Sequence, residues 1–567
     1  MSSAAWLDPS ELRIGLGCMR LSGEETITAA AQAGITVFDT ARAYGDSERL
    51  LAGALRRGER HADARIVTKG GMARSGDAWI PDGRAKAIAA DCEASLVALA
   101  GLPIDLYLLH APDPRTPWPT SIRALARLVE DGVVRRVGLS NVNRTQLDEA
   151  LELAPIAAVE VALSAYDDRA LRGGVVERCA ELGIAVLAHS PLGGPRRAGA
   201  LARRPPWNEV AEARGASAAE VALAWLLALS PAVIAIPGAR RPSTARSAAR
   251  AATLTLEPAE RAVLGGALTA PARPRLAAAP PAEGAEIVLV MGIPGAGKSR
   301  VAEEYVDRGY LRLNRDERGG GLRKLAETLD DALSAGGRRV VLDNTYLSRA
   351  ARSYVIDSAR RHGLPARCVW LNTPLAQAQV NVVERLLEEF GRLPTPEEVR
   401  SRARSTPGVL MPTSQMRALR ELEPPASDEG FAEVEVVPFT RSPSPALTGS
   451  AVYVAAAALR DPGWEAAVAA GDRGAHHLVF DWIADGAPDA LEPWIARLAD
   501  AVSGPVHGAF CPHAAGPPRC WCRPPLPGLA LAFARAHDLD PSRSALIGAG
   551  PAHRTLATAL GARYVAV

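Results

Sequence analysis

The sequence predicts a multidomain α/β chain: a (β/α)8 TIM barrel, then a doubly wound parallel sheet, then a shorter α/β domain. The chain has 567 residues, which is more than one hydrophobic core normally organises. Two stretches rich in Pro and small residues, 269–285 and 441–450, are typical of linkers. In each of the three parts that these linkers separate, short apolar segments alternate with helix-length segments. The predicted domains are therefore residues 1–268, 286–440 and 451–567.

The first domain contains eight candidate strands at the spacing of a (β/α)8 barrel. They begin near Ile14, Ile35, Arg65, Ile104, Arg136, Ile156, Ile184 and Val233. Most of them are separated by sequence long enough for a helix. The polar residues that interrupt these strands stand at the carboxyl ends, which is where a barrel of this kind places its active site.

Four of those polar residues, Asp39, Tyr44, Lys69 and His110, have a recognisable acid–base chemistry. A nearby ammonium group lowers the pKa of a tyrosine, and a carboxylate can hold that ammonium in place. We expect Tyr44 to protonate a carbonyl oxygen as hydride reaches the carbon, with His110 orienting the carbonyl. The alternative is that Asp39 and Lys69 form a structural ion pair in an inactive barrel.

Residues 10–268 resemble the aldo-keto reductases. The motifs that carry the resemblance are Gly-Leu-Gly-Cys-Met at 15–19, Phe-Asp-Thr-Ala at 38–41 with Tyr-Gly at 44–45, Lys69, Leu-Leu-His-Ala-Pro-Asp at 108–113, Gly-Leu-Ser-Asn at 138–141, His-Ser-Pro-Leu-Gly at 189–193 and Ile-Pro-Gly at 236–238. The resemblance implies that Asp39, Tyr44, Lys69 and His110 are catalytic and that NADPH reduces a small carbonyl substrate.

The same resemblance implies a set of cofactor-binding residues. They are Ser140, Asn141, Glu160, His189, Ser190, Leu192, Gly193, Gly238, Arg240 and Arg241. Arg240 and Arg241 are expected to clamp the 2′-phosphate of NADPH. Glu160 stands where relatives usually have Gln, so it can accept a hydrogen bond from the nicotinamide carboxamide but cannot donate one.

A phosphate-binding loop opens the second domain. Gly292, Gly295, Gly297, Lys298 and Ser299 stand at P-loop spacing, after the predicted strand 287–291 and before a helical segment. The backbone of such a loop cradles the phosphates of ATP, and the lysine reaches the terminal phosphates. Ser299 is the expected Mg²⁺ ligand.

Acidic residues end two further predicted strands of this domain. Asn314-Arg315-Asp316 and Asp343-Asn344-Thr345 resemble the kinase module of polynucleotide 5′-hydroxyl kinases, over residues 286–440. The resemblance implies Asp316 as general base, Asp343 as an acceptor-site residue, Arg385 as a lid arginine and nucleic-acid 5′ ends as the partner. Val383 stands where a second lid arginine is often found. Helix capping or a turn is the alternative for each aspartate, and a small hydroxylated molecule is the alternative acceptor.

The third domain carries four candidate metal ligands at close spacing, Cys511, His513, Cys520 and Cys522. Three thiols and one imidazole suit a closed tetrahedral Zn²⁺ site. The surrounding sequence, over residues 450–567, resembles the zinc-bearing phosphatases of the haloacid dehalogenase (HAD) superfamily. The Asp-x-Asp pair of such enzymes is missing from the aligned strand, which reads Val-Tyr-Val-Ala-Ala-Ala-Ala-Leu at 452–459. The sequence therefore predicts a HAD-like domain without phosphatase activity.

The bulk properties complete the prediction. The formal net charge is +2, so no global field indicates nucleic acid or a membrane. The first residues do not resemble a signal peptide, and a cytoplasmic protein with no membrane partner is expected. Together these resemblances imply a bifunctional enzyme: NADPH-dependent carbonyl reduction and ATP-dependent phosphorylation of a polynucleotide 5′-hydroxyl. A reductase joined to a small-molecule kinase, and a nucleotide- or nucleic-acid-binding protein without turnover, are the alternatives. The oligomeric state stays open.

Overall fold

The computed structural model describes residues 6–8, 10–58, 63–76, 78–265, 284–403, 405–440, 449–487, 489–516 and 519–567. These residues divide into two compact units, the first built mainly from the amino-terminal barrel and the second from most of the chain after it. Residues 269–283 and 441–448, which make up most of the two predicted linkers, lie outside the described residues.

The first unit is built on a barrel of parallel strands. Its strands are β1 (Gly15–Gly17), β2 (Val37–Asp39), β3 (Arg65–Gly70), β4 (Met72–Ser75), β5 (Ala78–Pro81), β6 (Leu106–Leu109), β7 (Val137–Ser140), β8 (Ile156–Ala162), β9 (Ala185–His189) and β10 (Val233–Ile236). Eight of these strands pair in chain order, while β4 and β5 form a separate antiparallel hairpin. Parallel bridges from Ile14 to Ala235 and from Gly17 to Gly238 nearly close the barrel.

Helices cover the outside of the barrel strands. They are α1 (Glu24–Gln32), α2 (Ser47–Arg57), α3 (Ala85–Ala98), α4 (Trp118–Glu130), α5 (Arg144–Leu151), α6 (Arg169–Arg172), α7 (Val175–Leu182), α8 (Trp207–Ala213), α9 (Ala218–Leu229), α10 (Pro242–Ala251) and α11 (Pro258–Gly265). Strands such as β6 are buried along their whole length, as expected where both faces of a parallel sheet are covered. Each barrel strand begins at the predicted residue or within about two residues of it, so the predicted barrel is confirmed.

The second unit contains two parallel sheets of five strands each. The first sheet is formed by β11 (Glu286–Met291), β12 (Leu311–Leu313), β13 (Arg339–Asp343), β14 (Ala366–Asn372) and β15 (Glu433–Pro438), in the order β12-β13-β11-β14-β15. The second is formed by β16 (Ala451–Ala455), β17 (His476–Trp482), β18 (Val506–Cys511), β19 (Ala545–Gly548) and β20 (Arg563–Ala566), in the order β18-β17-β16-β19-β20. In both sheets the first strand of the chain is central, which is the doubly wound arrangement.

The helices of the second unit connect and cover these strands. They are α12 (Lys298–Val306), α13 (Arg315–Arg318), α14 (Leu322–Ser334), α15 (Arg349–Arg361), α16 (Leu375–Phe390), α17 (Pro396–Arg402), α18 (Pro412–Glu421), α19 (Trp464–Ala469), α20 (Glu492–Ala499), α21 (Gly528–Ala536) and α22 (Pro551–Leu560). None of the helices among the described residues combines the length and apolar character needed to cross a membrane.

Helix α16 is shared by the two halves of the second unit. Val383 and Leu386 on this helix are fully buried, in the same apolar cluster as Trp521 of the carboxyl-terminal sheet domain. The Gln377 side chain donates a hydrogen bond to the Ala559 carbonyl (3.3 Å), and the Trp521 indole donates to the Leu410 carbonyl (2.9 Å). Val383, where the sequence lacks the second lid arginine, therefore faces this shared core rather than solvent.

Candidate active sites and metal centre

The barrel brings its polar residues together at the carboxyl ends of the strands. Asp39 is the last residue of β2, Lys69 lies near the end of β3, and His110 directly follows β6. The next two strands add polar residues at the same level of the barrel, because Ser140 at the end of β7 pairs with Glu160 on β8. A parallel register aligns the ends of neighbouring strands, so residues far apart in sequence become neighbours at one mouth.

Lys69 is the centre of a buried charge cluster. Its side chain is inaccessible to solvent and donates to the Asp39 carboxylate and to the Thr40 carbonyl (3.1 Å). The Glu160 carboxylate lies on the same ammonium, with Oε2 at 3.1 Å from Nζ. Burial and then the charge of Glu160 raise the pKa of Asp39. Burial opposes the charge of Lys69, but Asp39 and Glu160 outweigh it and raise the lysine pKa, so the ammonium form is held firmly.

Tyr44 lies beside this ammonium. The Lys69 Nζ atom is 5.3 Å from the centre of the Tyr44 ring, and the ring packs edge-on against His110 at 5.6 Å between ring centres. Burial raises the pKa of Tyr44, and the charge of Lys69 works in the opposite direction without overcoming it. The expected lowering by Lys69 is therefore present but is smaller than the effect of burial, and Tyr44 keeps its phenolic proton.

His110 is a neutral imidazole in this site. It is only 8% exposed, and its Nδ1 atom has no hydrogen-bond partner in the part of the chain that the structure describes. Burial and the charge of Lys69 lower the pKa of His110 to about 3. A neutral ring can donate one hydrogen bond and accept another, which suits the orientation of a carbonyl group.

The residues expected to bind the nicotinamide lie around Asn141. Its Nδ2 group donates to the His110 carbonyl (3.1 Å) and to Ser140 Oγ (3.0 Å), and its Oδ1 atom lies 3.1 Å from His189 Nε2. Asn141 and Ser190 both adopt left-handed backbone conformations, with φ of 58° and 52°. Such conformations are strained for residues other than glycine and cluster at ligand sites.

The rest of the expected cofactor residues lie in the loops after β9 and β10. Leu192 and Gly193 follow Ser190, and Gly193 has a positive φ of 76°. A Cβ atom at Gly193 would come within 2.4 Å of the Tyr166 ring, so only glycine fits. Gly238, Arg240 and Arg241 are exposed after β10, which leaves both guanidinium groups on the surface beside the barrel mouth.

Two features of the barrel site are absent from the sequence prediction. The first is the contact of Glu160 with Lys69, since the sequence predicted a carboxylate near the nicotinamide instead. The second is Trp79 on the β4–β5 hairpin, which packs edge-on against Tyr44 at 6.0 Å and against His110 at 5.7 Å. The two hairpin strands are four residues each and show no apolar alternation, so nothing in the sequence indicated this hairpin.

The P-loop follows β11 and is held by side chains from other elements. Asn381 donates to the Gly295 carbonyl (2.8 Å), Gln415 donates to the Pro294 carbonyl (2.8 Å), and Thr373 donates to the Ala296 carbonyl (3.2 Å). A Cβ atom at Gly295 would lie 2.4 Å from the Ala378 carbonyl oxygen, so helix α16 can pack this closely only on a glycine. These contacts fix the loop so that its backbone amides can face a phosphate.

Lys298 and Ser299 begin helix α12 directly after the loop. The Lys298 ammonium donates to the carbonyls of Gly292 (3.2 Å) and Ile293 (3.1 Å). Burial lowers the pKa of Lys298 to about 8, and the charge of Asp343 works against that shift. The ammonium is therefore poorly solvated, and an anionic phosphate would restore its usual charge state. Ser299 is exposed at the same helix end.

The two candidate acidic residues of this domain differ in their surroundings. Asp343, at the end of β13, is buried and accepts hydrogen bonds from Arg312 (2.6 Å) and Asn314 (3.1 Å). Asp316 is exposed, and its backbone N–H is capped by the Asn314 side chain (2.7 Å). Asn314, rather than Asp316, is thus the helix cap. Asp343 forms a buried ion pair, and Asp316 keeps an accessible carboxylate.

Arg385 lies on the exposed side of α16, two residues after the buried Val383. Its charge helps to lower the pKa of Lys298, which places the guanidinium within electrostatic reach of the P-loop. A Cβ atom at Gly408 would lie 2.2 Å from Arg385 Nη1, so the arginine packs against the loop that follows α17.

Four potential ligands converge beside the end of β18. Cys511 Sγ is 3.4 Å from His513 Nδ1 and 3.5 Å from Cys520 Sγ, and Cys522 Sγ is 3.3 Å from His513 Nδ1. All four ligand atoms lie within 4.8 Å of one another, and all three cysteines are free and buried. Hydrogen bonds from the thiols of Cys520 and Cys522 lower the pKa of Cys511. Spacing of this kind fits the tetrahedral ligand sphere of Zn²⁺.

Comparisons with known proteins identify two parts of the chain. Residues 13–264 match the aldo/keto reductase family, and residues 287–407 match a family described as an AAA domain. An aldo-keto reductase from Strobilurus tenacellus is 31% identical over 246 residues, which cover 38% of this chain and 72% of the relative. An oxidoreductase from Schizosaccharomyces pombe is 31% identical over 243 residues, covering 40% of this chain and 76% of the relative.

A solved structure of an aldo/keto reductase from Klebsiella pneumoniae, in complex with NADP and acetate, is also similar. It is 26% identical, with a TM-score of 0.39, and covers 46% of this chain and 93% of that chain. The two family matches confirm the reductase and P-loop predictions at the level of the domain. This chain is therefore a member of the aldo/keto reductase family, an oxidoreductase whose barrel precedes a P-loop domain of the AAA type.

Proposed function

We propose that the chain is a bifunctional enzyme that reduces an aldehyde or ketone with NADPH and phosphorylates a polynucleotide 5′-hydroxyl with ATP. The observation that supports the reductase most directly is the Lys69 ammonium, held by two carboxylates and 5.3 Å from the Tyr44 ring. A structural ion pair needs one carboxylate for one lysine and no tyrosine. The cluster instead sets a charge beside a phenolic proton, as general acid catalysis requires.

In the proposed reduction, Tyr44 and His110 act on the carbonyl oxygen. Their rings pack edge-on with centres 5.6 Å apart, and in this proposal each side chain donates a hydrogen bond to the same carbonyl oxygen. As negative charge develops on that oxygen, Tyr44 transfers its proton, and Lys69 stabilises the phenolate that remains. The residues that surround Asn141 and His189 fit a nicotinamide, and Arg240 and Arg241 fit the 2′-phosphate of NADPH. When bound, NADPH would supply the hydride.

Trp79 favours a flat or apolar carbonyl substrate. Its indole is 41% exposed and packs against both Tyr44 and His110, while the Arg74 guanidinium covers the ring at 4.1 Å. A substrate that reaches Tyr44 would contact this indole. An exposed indole of this kind stabilises a bound substrate by burying apolar surface rather than by hydrogen bonding.

The test of the reductase is Tyr44→Phe in the full chain. This change removes the proton donor and keeps the ring contacts with His110 and Trp79, so carbonyl reduction should fall by about 10²-fold or more. NADPH binding, followed by cofactor fluorescence, should be retained. Unchanged turnover would refute the assignment of Tyr44 as the acid.

In the proposed phosphorylation, the P-loop and Lys298 hold the phosphates of ATP, Ser299 holds Mg²⁺, and Asp316 accepts the proton of the attacking hydroxyl. The support for Asp316 is its accessible carboxylate on α13, just after β12, whose charge acts on Lys298 of the P-loop. Asp343 would then orient Arg312 and Asn314 around the acceptor. Arg385 would stabilise the charge on the transferred phosphoryl group.

The test of the kinase is phosphate transfer from labelled ATP to a 5′-hydroxyl oligonucleotide, with Asp316→Ala as the variant. Transfer that depends on Asp316 would support the polynucleotide acceptor. Protein that binds ATP and phosphorylates only small alcohols would favour a small-molecule kinase acting with the reductase. Binding of ATP and NADPH without turnover of either would favour a ligand-binding protein.

We also propose that Cys511, His513, Cys520 and Cys522 hold one Zn²⁺ ion and that the carboxyl-terminal sheet is a HAD-like domain without phosphatase activity. Its central strand β16 ends in Ala455, and no carboxylate follows through Leu459. The nucleophile and the Mg²⁺ site of such phosphatases are therefore missing. The shared packing of α16 supports a structural role, since residues of the carboxyl-terminal sheet domain complete the buried core on one side of this helix.

A further inference from the structure

Three histidines of the carboxyl-terminal sheet domain lie together on a face that none of the sites above uses. They are His476, the first residue of β17, His507 on β18, and His537, the residue that ends α21. One ligand atom from each lies within 4.8 Å of those from the other two. The centre of the His537 ring is 4.7 Å from that of His476 and 4.6 Å from that of His507.

The fold explains why these rings meet. Leu478 on β17 pairs with His507 on β18, and side chains alternate along a strand, so His476 and His507 face the same side of the sheet. Helix α21 crosses this side, and His537 lies four residues after Phe533, on the same helical face. The three imidazoles therefore come from three different elements, fixed by the sheet register and by the packing of one helix.

Aromatic packing alone does not account for the cluster. Phe533 contacts the rings of His507 and His537, with ring centres 5.3 and 4.6 Å away, as expected for a small aromatic core. His476 Nδ1 and His507 Nε2, however, are buried and have no hydrogen-bond partner among the described residues. Buried imidazole nitrogens normally find a partner, and a bound ion supplies one.

We infer that His476, His507 and His537 form a second metal site, which binds a late first-row divalent ion such as Ni²⁺, Cu²⁺ or Zn²⁺. Neutral imidazole is the ligand that these ions prefer, whereas Mg²⁺ and Ca²⁺ require oxygen donors. Metal–imidazole distances are about 2.1 Å, so atoms already within 4.8 Å need only small side-chain rotations to reach one ion. Three protein ligands leave at least one coordination position for water, and the three residues are partly exposed.

This site is separate from the cysteine cluster. His507 lies near the start of β18 and Cys511 at its end, which puts the two residues about 13 Å apart along the strand. The ligand types differ as well, because thiolates would dominate at one site and imidazoles alone at the other. An ion at the histidine cluster would tie β17, β18 and α21 together near the amino ends of the two strands, whereas the cysteine cluster lies at their carboxyl ends.

The test is a Ni²⁺ titration of the full, tag-free chain after its cysteine cluster has been loaded with Zn²⁺. Equilibrium dialysis with metal analysis should find one Ni²⁺ per chain in addition to the zinc, without the thiolate-to-nickel absorption that displacement at the cysteines would produce. His507→Phe keeps an aromatic ring but removes the ligand, and it should weaken Ni²⁺ binding at least tenfold. Phe533→Leu, which alters the packing and keeps all three ligands, should retain it.

His537→Gln, at the exposed end of α21, is a second variant that does not depend on the strand core. It should also weaken Ni²⁺ binding, and a Ni²⁺-dependent rise in the thermal midpoint should appear in wild type and be lost in both histidine variants. Equal Ni²⁺ binding by wild type and His507→Phe would overturn the assignment. Absence of any additional equivalent in wild type would overturn it as well, and would leave an aromatic cluster only.

Discussion

Replacing Glu160 with Gln tests whether the second carboxylate controls the acid in the barrel. Glu160 Oε2 is 3.1 Å from Lys69 Nζ, which is itself 5.3 Å from the centre of the Tyr44 ring. The carboxylate is therefore within about 8.4 Å of the ring. At an effective dielectric constant of about 20, a unit charge at that distance contributes about 2 kcal/mol.

The sign of this contribution follows from the charge. Glu160 disfavours the phenolate and so helps burial to raise the pKa of Tyr44. Removing the carboxylate should lower that pKa by at least about one unit, since 1.36 kcal/mol corresponds to one pKa unit. Because the protonated phenol is the active form, the fall in reduction rate at high pH should begin at a lower pH in Glu160→Gln than in wild type.

The assay is the pH dependence of kcat/KM for carbonyl reduction, measured beside the NADPH dissociation constant. Glu130→Gln, at an exposed position at the end of α4, removes the same charge on the side of the barrel where β7 begins, away from the carboxyl strand ends, and serves as the matched control. An alkaline limb that stays in place in Glu160→Gln, with NADPH still bound, would refute the electrostatic role of Glu160. A shift of equal size in Glu130→Gln would show that net charge alone is responsible.

Three further predictions concern the second unit. Lys298→Ala should abolish ATP turnover and leave carbonyl reduction unchanged, because it removes the charge aimed at the terminal phosphates; parallel assays that lost both activities would show instead that the domains are coupled. Gln415→Ala removes the hydrogen bonds to Pro294 and Ala378 and should weaken ATP binding by about tenfold, whereas Gln377→Ala, whose amide contacts Ala559, should not. Cys520→Ser should release about one zinc per chain and lower the thermal midpoint. Cys368→Ser, at a buried cysteine outside the cluster, is the control for loss of a thiol. Unchanged zinc content in Cys520→Ser would show that Cys520 is not a zinc ligand.

Much of the fold was predictable because it depends on local pattern. Strand β6 is buried along its length and is followed by the polar residue His110, and β13 is apolar and buried from Val340 to Leu342 and ends at Asp343. Such runs mark buried strands of a parallel sheet whatever the distant partner is. The P-loop was equally local, since Gly295 and Lys298 are specified by spacing within one turn between a strand and a helix.

The position of each catalytic candidate on its strand was likewise readable from the sequence, and the structure places Asp39, Lys69 and His110 at one mouth as expected. The electrostatic state of the site was not readable. Whether Lys69 lowers the pKa of Tyr44 depends on how much solvent the fold excludes and on a second carboxylate contributed from β8. The burial of Tyr44 and the charges around it both depend on residues from distant parts of the sequence that the fold brings together.

The sequence by itself determined where the barrel strands begin, the strand ends at which polar groups stand, the P-loop spacing and the four closely spaced candidate metal ligands. Tertiary structure alone decided that Glu160 pairs with Lys69 and that Trp79 packs edge-on against Tyr44. It also decided that Val383 is buried in the core that α16 forms with the carboxyl-terminal sheet, and that three histidines lie together beside α21. The physical reason is the sequence distance over which each kind of interaction acts. Hydrophobic period and turn chemistry act over a few residues, whereas these contacts join residues brought together by sheet register and helix packing, which no local pattern encodes.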